Sequence, residues 1–141
     1  MKRRRPLTKT HLLPLPAALA RQQQLRHHVA LSMLLDQRAG PTQLAILLNV
    51  VEMTYLLASP AEREAVSLAR FRQAEMVLEA CFGPLGEGGV GLEAALRETI
   101  EQILVMHDEQ LLRVPSHRYL DAQERSEQLA ETGRSAIPAL G

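Results

Sequence analysis

The densest charge in the chain lies at its start, where Lys2, Arg3, Arg4 and Arg5 are followed by Lys9. Such a cluster can neutralise several phosphates, each adding a salt-dependent increment to affinity. Arg21 and Arg26 extend it into the first helical stretch, so these seven residues are the candidate contacts to nucleic acid or to an acidic partner. Three features count against nucleic acid. Aromatic residues make up only 3% of the chain and there is no tryptophan, so platforms for base stacking are scarce. Net charge is zero, yet residues 1–38 hold eight basic residues against the single acid Asp36, which leaves the remainder acidic. And the segment after Gly40 is too apolar to serve as a recognition helix, offering little beyond Gln43 and Asn49 to read bases.

The other chemistries are weaker. Gly86-Glu87-Gly88-Gly89-Val90-Gly91 spells G-x-G-x-x-G, but a dinucleotide site needs a strand before that loop, and a helical stretch precedes it here. The histidines are His11, His27, His28, His107 and His117, and no Glu-x-x-His pair occurs, so the usual ligand set of a helical-bundle metal site is missing. Glu75, Glu79, Glu101 and His107 would have to converge, but the helical wheel points Glu79 and Glu101 to solvent. Cys81, the only cysteine, lies in an apolar run that suits a packed thiol rather than a nucleophile. No serine sits in a G-x-S-x-G elbow. No catalytic residue, cofactor site or metal site is therefore assigned.

Helices must position whatever the chain uses. A length of 141 residues suits one domain with its own core, and 46% hydrophobic residues is ordinary for one. No apolar run reaches the roughly 18–20 residues of a membrane span. Prolines 6, 14 and 16 keep residues 1–15 as an extended basic arm. A first helix over 16–39 carries Leu25, Val29, Leu31, Leu34 and Leu35 as its inward stripe, His28 aligned with it, and ends at Gly40-Pro41. A second, over 42–58, is apolar nearly all round and must be central. Ser59-Pro60-Ala61-Glu62 starts a third that runs to Phe82. A fourth, over 92–114, turns Leu96, Ile100, Ile103, His107 and Leu111 inward. Ser116 is placed to cap a weakly amphipathic fifth over 117–131, and 133–141 reads as a flexible tail.

The expected fold is all-α, a compact bundle of four to five helices with an extended basic N-terminal arm, in three parts: arm 1–15, helical domain 16–132 and tail 133–141. The expected function is that of a small non-enzymatic regulator or inhibitor, cytoplasmic and of bacterial or mobile-element origin, working by protein–protein contact. A homodimer fits the apolar second helix. The candidate interface is the outer face of the fourth helix, Glu93, Arg97, Glu98, Glu101, Asp108 and Glu109. DNA or RNA association through the arm and first helix is the second reading, and a bundle enzyme or metal protein the third. No membrane contact is expected.

Overall fold

The structure, a computed structural model, describes residues 9–81 and 94–138. They form an all-α fold of seven helices with no strand among the described residues: α1 (Lys9–Leu12), α2 (Ala17–Leu35), α3 (Pro41–Leu57), α4 (Pro60–Ala65), α5 (Leu68–Ala80), α6 (Ala94–Arg113) and α7 (Ser116–Glu131). The helix α3 is the hub. It packs against α2, α5, α6 and α7, and Leu44, Leu47, Val50, Val51, Met53, Thr54 and Leu57 along it are all buried. Each large apolar side chain so removed from water contributes about 1.5–3 kcal/mol, so neighbours on every side are what hold this helix. No helix among the described residues is long and apolar enough to cross a membrane.

Helix ends follow capping chemistry, with two surprises. α2 stops at Leu35, not at Ala39. Gln37 takes the left-handed conformation (φ 58°), its N–H donates to the Leu34 carbonyl and the Arg38 N–H to that of Met33. That is a Schellman motif closed by glutamine. Gly40 instead begins α3, its N–H donating to Gln43 Oε1 at 2.8 Å. α7 ends the same way, this time with Gly133 at φ 69°. The second surprise is that the expected 59–82 helix is two helices. Ser59 caps α4 through a reciprocal box with Glu62. Val66 then turns extended (φ −119°, ψ 109°) and buries itself completely. Ser67 caps α5 by accepting from the Arg70 N–H. The freed Ala65 carbonyl is taken up by Arg70 Nη1 at 3.3 Å. The Ser59→Ala variant should lose about 1 kcal/mol in urea melts, because the Glu62 N–H then faces the α4 start unpaired.

Ser116 does not cap α7 either. Its N–H donates to the Leu13 carbonyl at 2.7 Å and its hydroxyl reaches the carbonyls of Thr10 and His11, so it ties α1 to α7. Residues 9–13 of the expected arm are thus docked, while residues 1–8 lie outside the described part. The chain after α7 also returns to the body. Ile137 is 2% exposed within the main core, and Ser135 donates to the wholly buried Glu75, which Arg72 also pairs. The packed chain therefore continues past the expected domain end at 132.

Candidate functional site

The register of α2 decides what the surface offers. Its inward residues are Ala20, His27, Ala30 and Leu31, which leaves Leu25 (68% exposed) and Val29 (47% exposed) on the outside. The expected inward placement of those two is therefore corrected. Small Ala30, in the core with Leu44 and Leu47 of α3, lets α2 approach α3 closely, and polar side chains form its seam with α6. Gln24 donates to the Asp108 carbonyl at 3.2 Å, and His28 Nε2 meets Asp108 Oδ2 at 2.7 Å. The rings of His27 and His107 lie 5.3 Å apart.

Behind His107, Gln110 is fully buried and donates to the Thr54 carbonyl at 3.1 Å, one of the free carbonyls at the C-terminal end of α3. With its amide nitrogen so committed, its oxygen accepts from His107 Nδ1 at 3.0 Å, which fixes the proton of His107 on that nitrogen. Burial holds both histidines neutral. The His27 pKa falls to about 3, chiefly through burial, with smaller contributions from His107, Arg26 and His28. Burial lowers that of His107 too, against the opposing pull of Gln110, Asp108 and Glu62.

Two concavities flank α2 and share Arg26 and Ile46. The first is a polar cleft of about 490 Å³. From α2 it takes Gln23, Arg26 and His27, from α3 Thr42 and Asn49 over an apolar floor of Ala45 and Ile46, and from α7 Tyr119 and Gln123. No carboxylate lines it, and Arg26 forms no ion pair with the other described residues. His27 is 5% exposed, and its Nδ1 is buried with no hydrogen-bond partner among the described residues. Burial raises the Tyr119 phenol above its ordinary range, while Arg26 nearby pulls it back. The second is a shallow, mainly apolar groove of about 400 Å³, bordered by Leu25, Val29 and Met33 of α2 and by Ile46 of α3. Comparison with protein-family models, curated proteins and solved structures finds no match to this chain.

The sequence-derived candidates scatter over this frame. Lys2, Arg3, Arg4, Arg5 and Glu93 lie outside the described residues, as does the Gly86–Gly91 loop. Lys9 is exposed on α1, which packs on α7, whereas Arg21 and Arg26 are on α2. On α6, Arg97 is bonded to Glu101 at 3.0 Å, Glu98 and Glu109 are exposed, and Asp108 is turned inward to His28. Asp108 thus belongs to the α2–α6 seam more than to a free surface. Among the described residues no group of three or more His, Cys, Asp or Glu side chains is placed to hold a metal ion. What sequence reasoning missed is the cleft. Its walls come from residues 23–27, 42–49 and 119–123, and no periodicity within one helix reveals that they meet.

Proposed function

We propose that this protein is a small non-enzymatic regulator that works through protein–protein contact, with a second copy of the same chain as the occupant of its outer α2 face. The observation that carries this is the exposure of Leu25 and Val29 along a groove whose lining contains Arg26 and no acid. An apolar groove with a rim of one charge sign supports a docking surface. The chain also presents a complement. On α6, Glu98, Val105, Glu109 and Leu112 recur at intervals of seven, four and three residues, all exposed, so they form one acidic and apolar stripe.

Because α2 and α6 are neighbours joined through Asp108, a two-fold axis can set α2 of each copy against α6 of the other. Each copy then uses both stripes. Light scattering after gel filtration should give a dimer for the native chain at about 100 μM. The double variant Leu25→Arg with Val29→Arg should run as a folded monomer, and Glu109→Lys should weaken the dimer through charge alone. A native chain that is monomeric at that concentration would sink the proposal, and so would a dimer indifferent to the α2 substitutions.

A further inference from the structure

We propose that the polar cleft between α2, α3 and α7 is a binding site for a small organic anion, its carboxylate or phosphate seated on Arg26 and its polar body on His27 and Tyr119. The inference goes beyond the partner-docking reading and does not rest on it. Three observations carry it. The first is sign: the lining contains one guanidinium and no carboxylate, and no described residue pairs with that guanidinium. A planar, permanently charged fork without a partner in a cleft is suited to a carboxylate or phosphate, which it can hold through two parallel bonds.

The second is His27, 5% exposed on the cleft wall with its Nδ1 buried and unpartnered. With Nδ1 enclosed, Nε2 is the nitrogen left for a ligand on the cleft side. The low pKa keeps the ring neutral, so one nitrogen donates and the other accepts. It can therefore bond a hydroxyl or amide of the ligand and does not add a second charge. The third is shape and chemistry. About 490 Å³ falls within the range of small-molecule sites, and the amides of Gln23 and Asn49 stand near the phenol of Tyr119 around a floor of Ala45 and Ile46. A few convergent polar groups over a small apolar floor favour a compact molecule with hydrogen-bonding groups. A bare ion would use Arg26 alone.

The test is ligand-observed and protein-observed NMR on the full chain with two arms of probes at about 10 mM. One arm holds the carboxylates 4-hydroxybenzoate, glutamate and citrate. The other holds the phosphate monoesters adenosine 5′-monophosphate and glucose 6-phosphate. Inorganic phosphate serves as the bare anion. At least one organic probe should saturate with amide shifts centred on Arg26, His27 and Tyr119, and the arm to which it belongs identifies the anionic group. Arg26→Gln should weaken that binding at least about tenfold and Tyr119→Phe about threefold, with melting temperatures within about 2 °C of the parent. Leu25→Ser, on the neighbouring groove and without change of charge, should leave binding unchanged, which separates this site from the partner surface. The proposal fails if neither arm produces saturable shifts at the cleft. It fails equally if Arg26→Gln binds as well as the parent, or if inorganic phosphate binds as tightly as the best organic probe.

Discussion

Lowering the pH from 7 to 5 is expected to destabilise this protein by about 2 kcal/mol through His27 alone, with the loss beginning near pH 6.5 and His107 adding to it. The source is the pair of neutral histidines, their rings tilted at 50°, between α2 and α6. His27 holds its pKa near 3 and His107 is lowered in the same direction, both mainly by burial. In the unfolded chain each returns to about 6.5. A base whose pKa is lower folded than unfolded binds fewer protons when folded. Stability is therefore full above pH 6.5 and falls as pH drops from there toward the folded value. At pH 5 His27 costs about 2 kcal/mol, and His107 adds a cost of the same sign.

Two carboxylates modify the acid end with opposite signs. Burial raises Glu52, with Glu75 and Glu79 adding to it, so its protonation favours the folded state as pH falls and offsets part of the loss. Glu62 is lowered on balance, since the bonds from Ser59 and Arg113 outweigh its burial, and its stabilisation fades below the ordinary carboxylate range. Urea melts between pH 8 and 5 should show a flat region followed by a slope of about one proton from His27, made steeper by His107. His27→Gln should remove about one proton from that slope and His107→Gln should make it shallower, whatever they do to stability at pH 8. Identical melts at pH 7 and pH 5 would contradict the neutral burial of both rings.

The helices were legible where local chemistry is decisive. Gly40-Pro41, Ser59-Pro60 and Pro115 punctuate the chain through backbone constraints that no packing overrides, and each lies at a helix boundary in the structure. The all-round apolar character of α3 fitted a central helix or an oligomer interface, and its packing against α2, α5, α6 and α7 makes it central. Other features depend on competition between distant elements. Ser67 starts a helix, but Arg70 stands three residues on where a capping box would have glutamate, so the sequence shows no break at Val66. Burial of Val66 and the reach of Arg70 to Thr99 and Gln102 on α6 compensate that break.

On α2, Leu31, Leu34 and Leu35 do meet the core as expected, but Leu25 and Val29 lie outside, because the buried positions earlier on the helix go to His27 and Ala20. Glu75 sits four residues after Phe71 and three before Leu78, the apolar side of α5, and is tolerated there only because Arg72 and Ser135 bond it. Of the candidate site, single residues such as Arg26 stood out by charge. The cleft that gives Arg26 its company did not, since a concavity is a property of three helices and not of one.

The largest loss from a single side chain is expected at the α3–α5 contact. Phe71 is completely buried and stands first by volume among the fully buried side chains. Its ring meets that of Tyr55 edge-on, with centroids 5.6 Å apart and planes at 77°. Phe71→Ala therefore removes both the transfer of a ring from water and an aromatic pair, and leaves a void that α3, fixed on its other sides by α2, α6 and α7, cannot close. The expected cost is about 3–5 kcal/mol, of which the pair with Tyr55 supplies roughly 1. For a chain of this size that lowers the melting temperature by about 12 °C.

Met76 on the same helix is 55% exposed, so Met76→Ala should change stability by less than about 0.5 kcal/mol. The contrast tests the register of α5 independently of the total stability. A double-mutant cycle with Tyr55→Leu should give a coupling of about 1 kcal/mol, as contacting rings require. Equal losses at residues 71 and 76, or no coupling to Tyr55, would mean that α5 presents a different face to α3. Because Arg70 and Glu75 flank Phe71 on the same helix, the links of α5 to Thr99 and Ser135 would then shift with it.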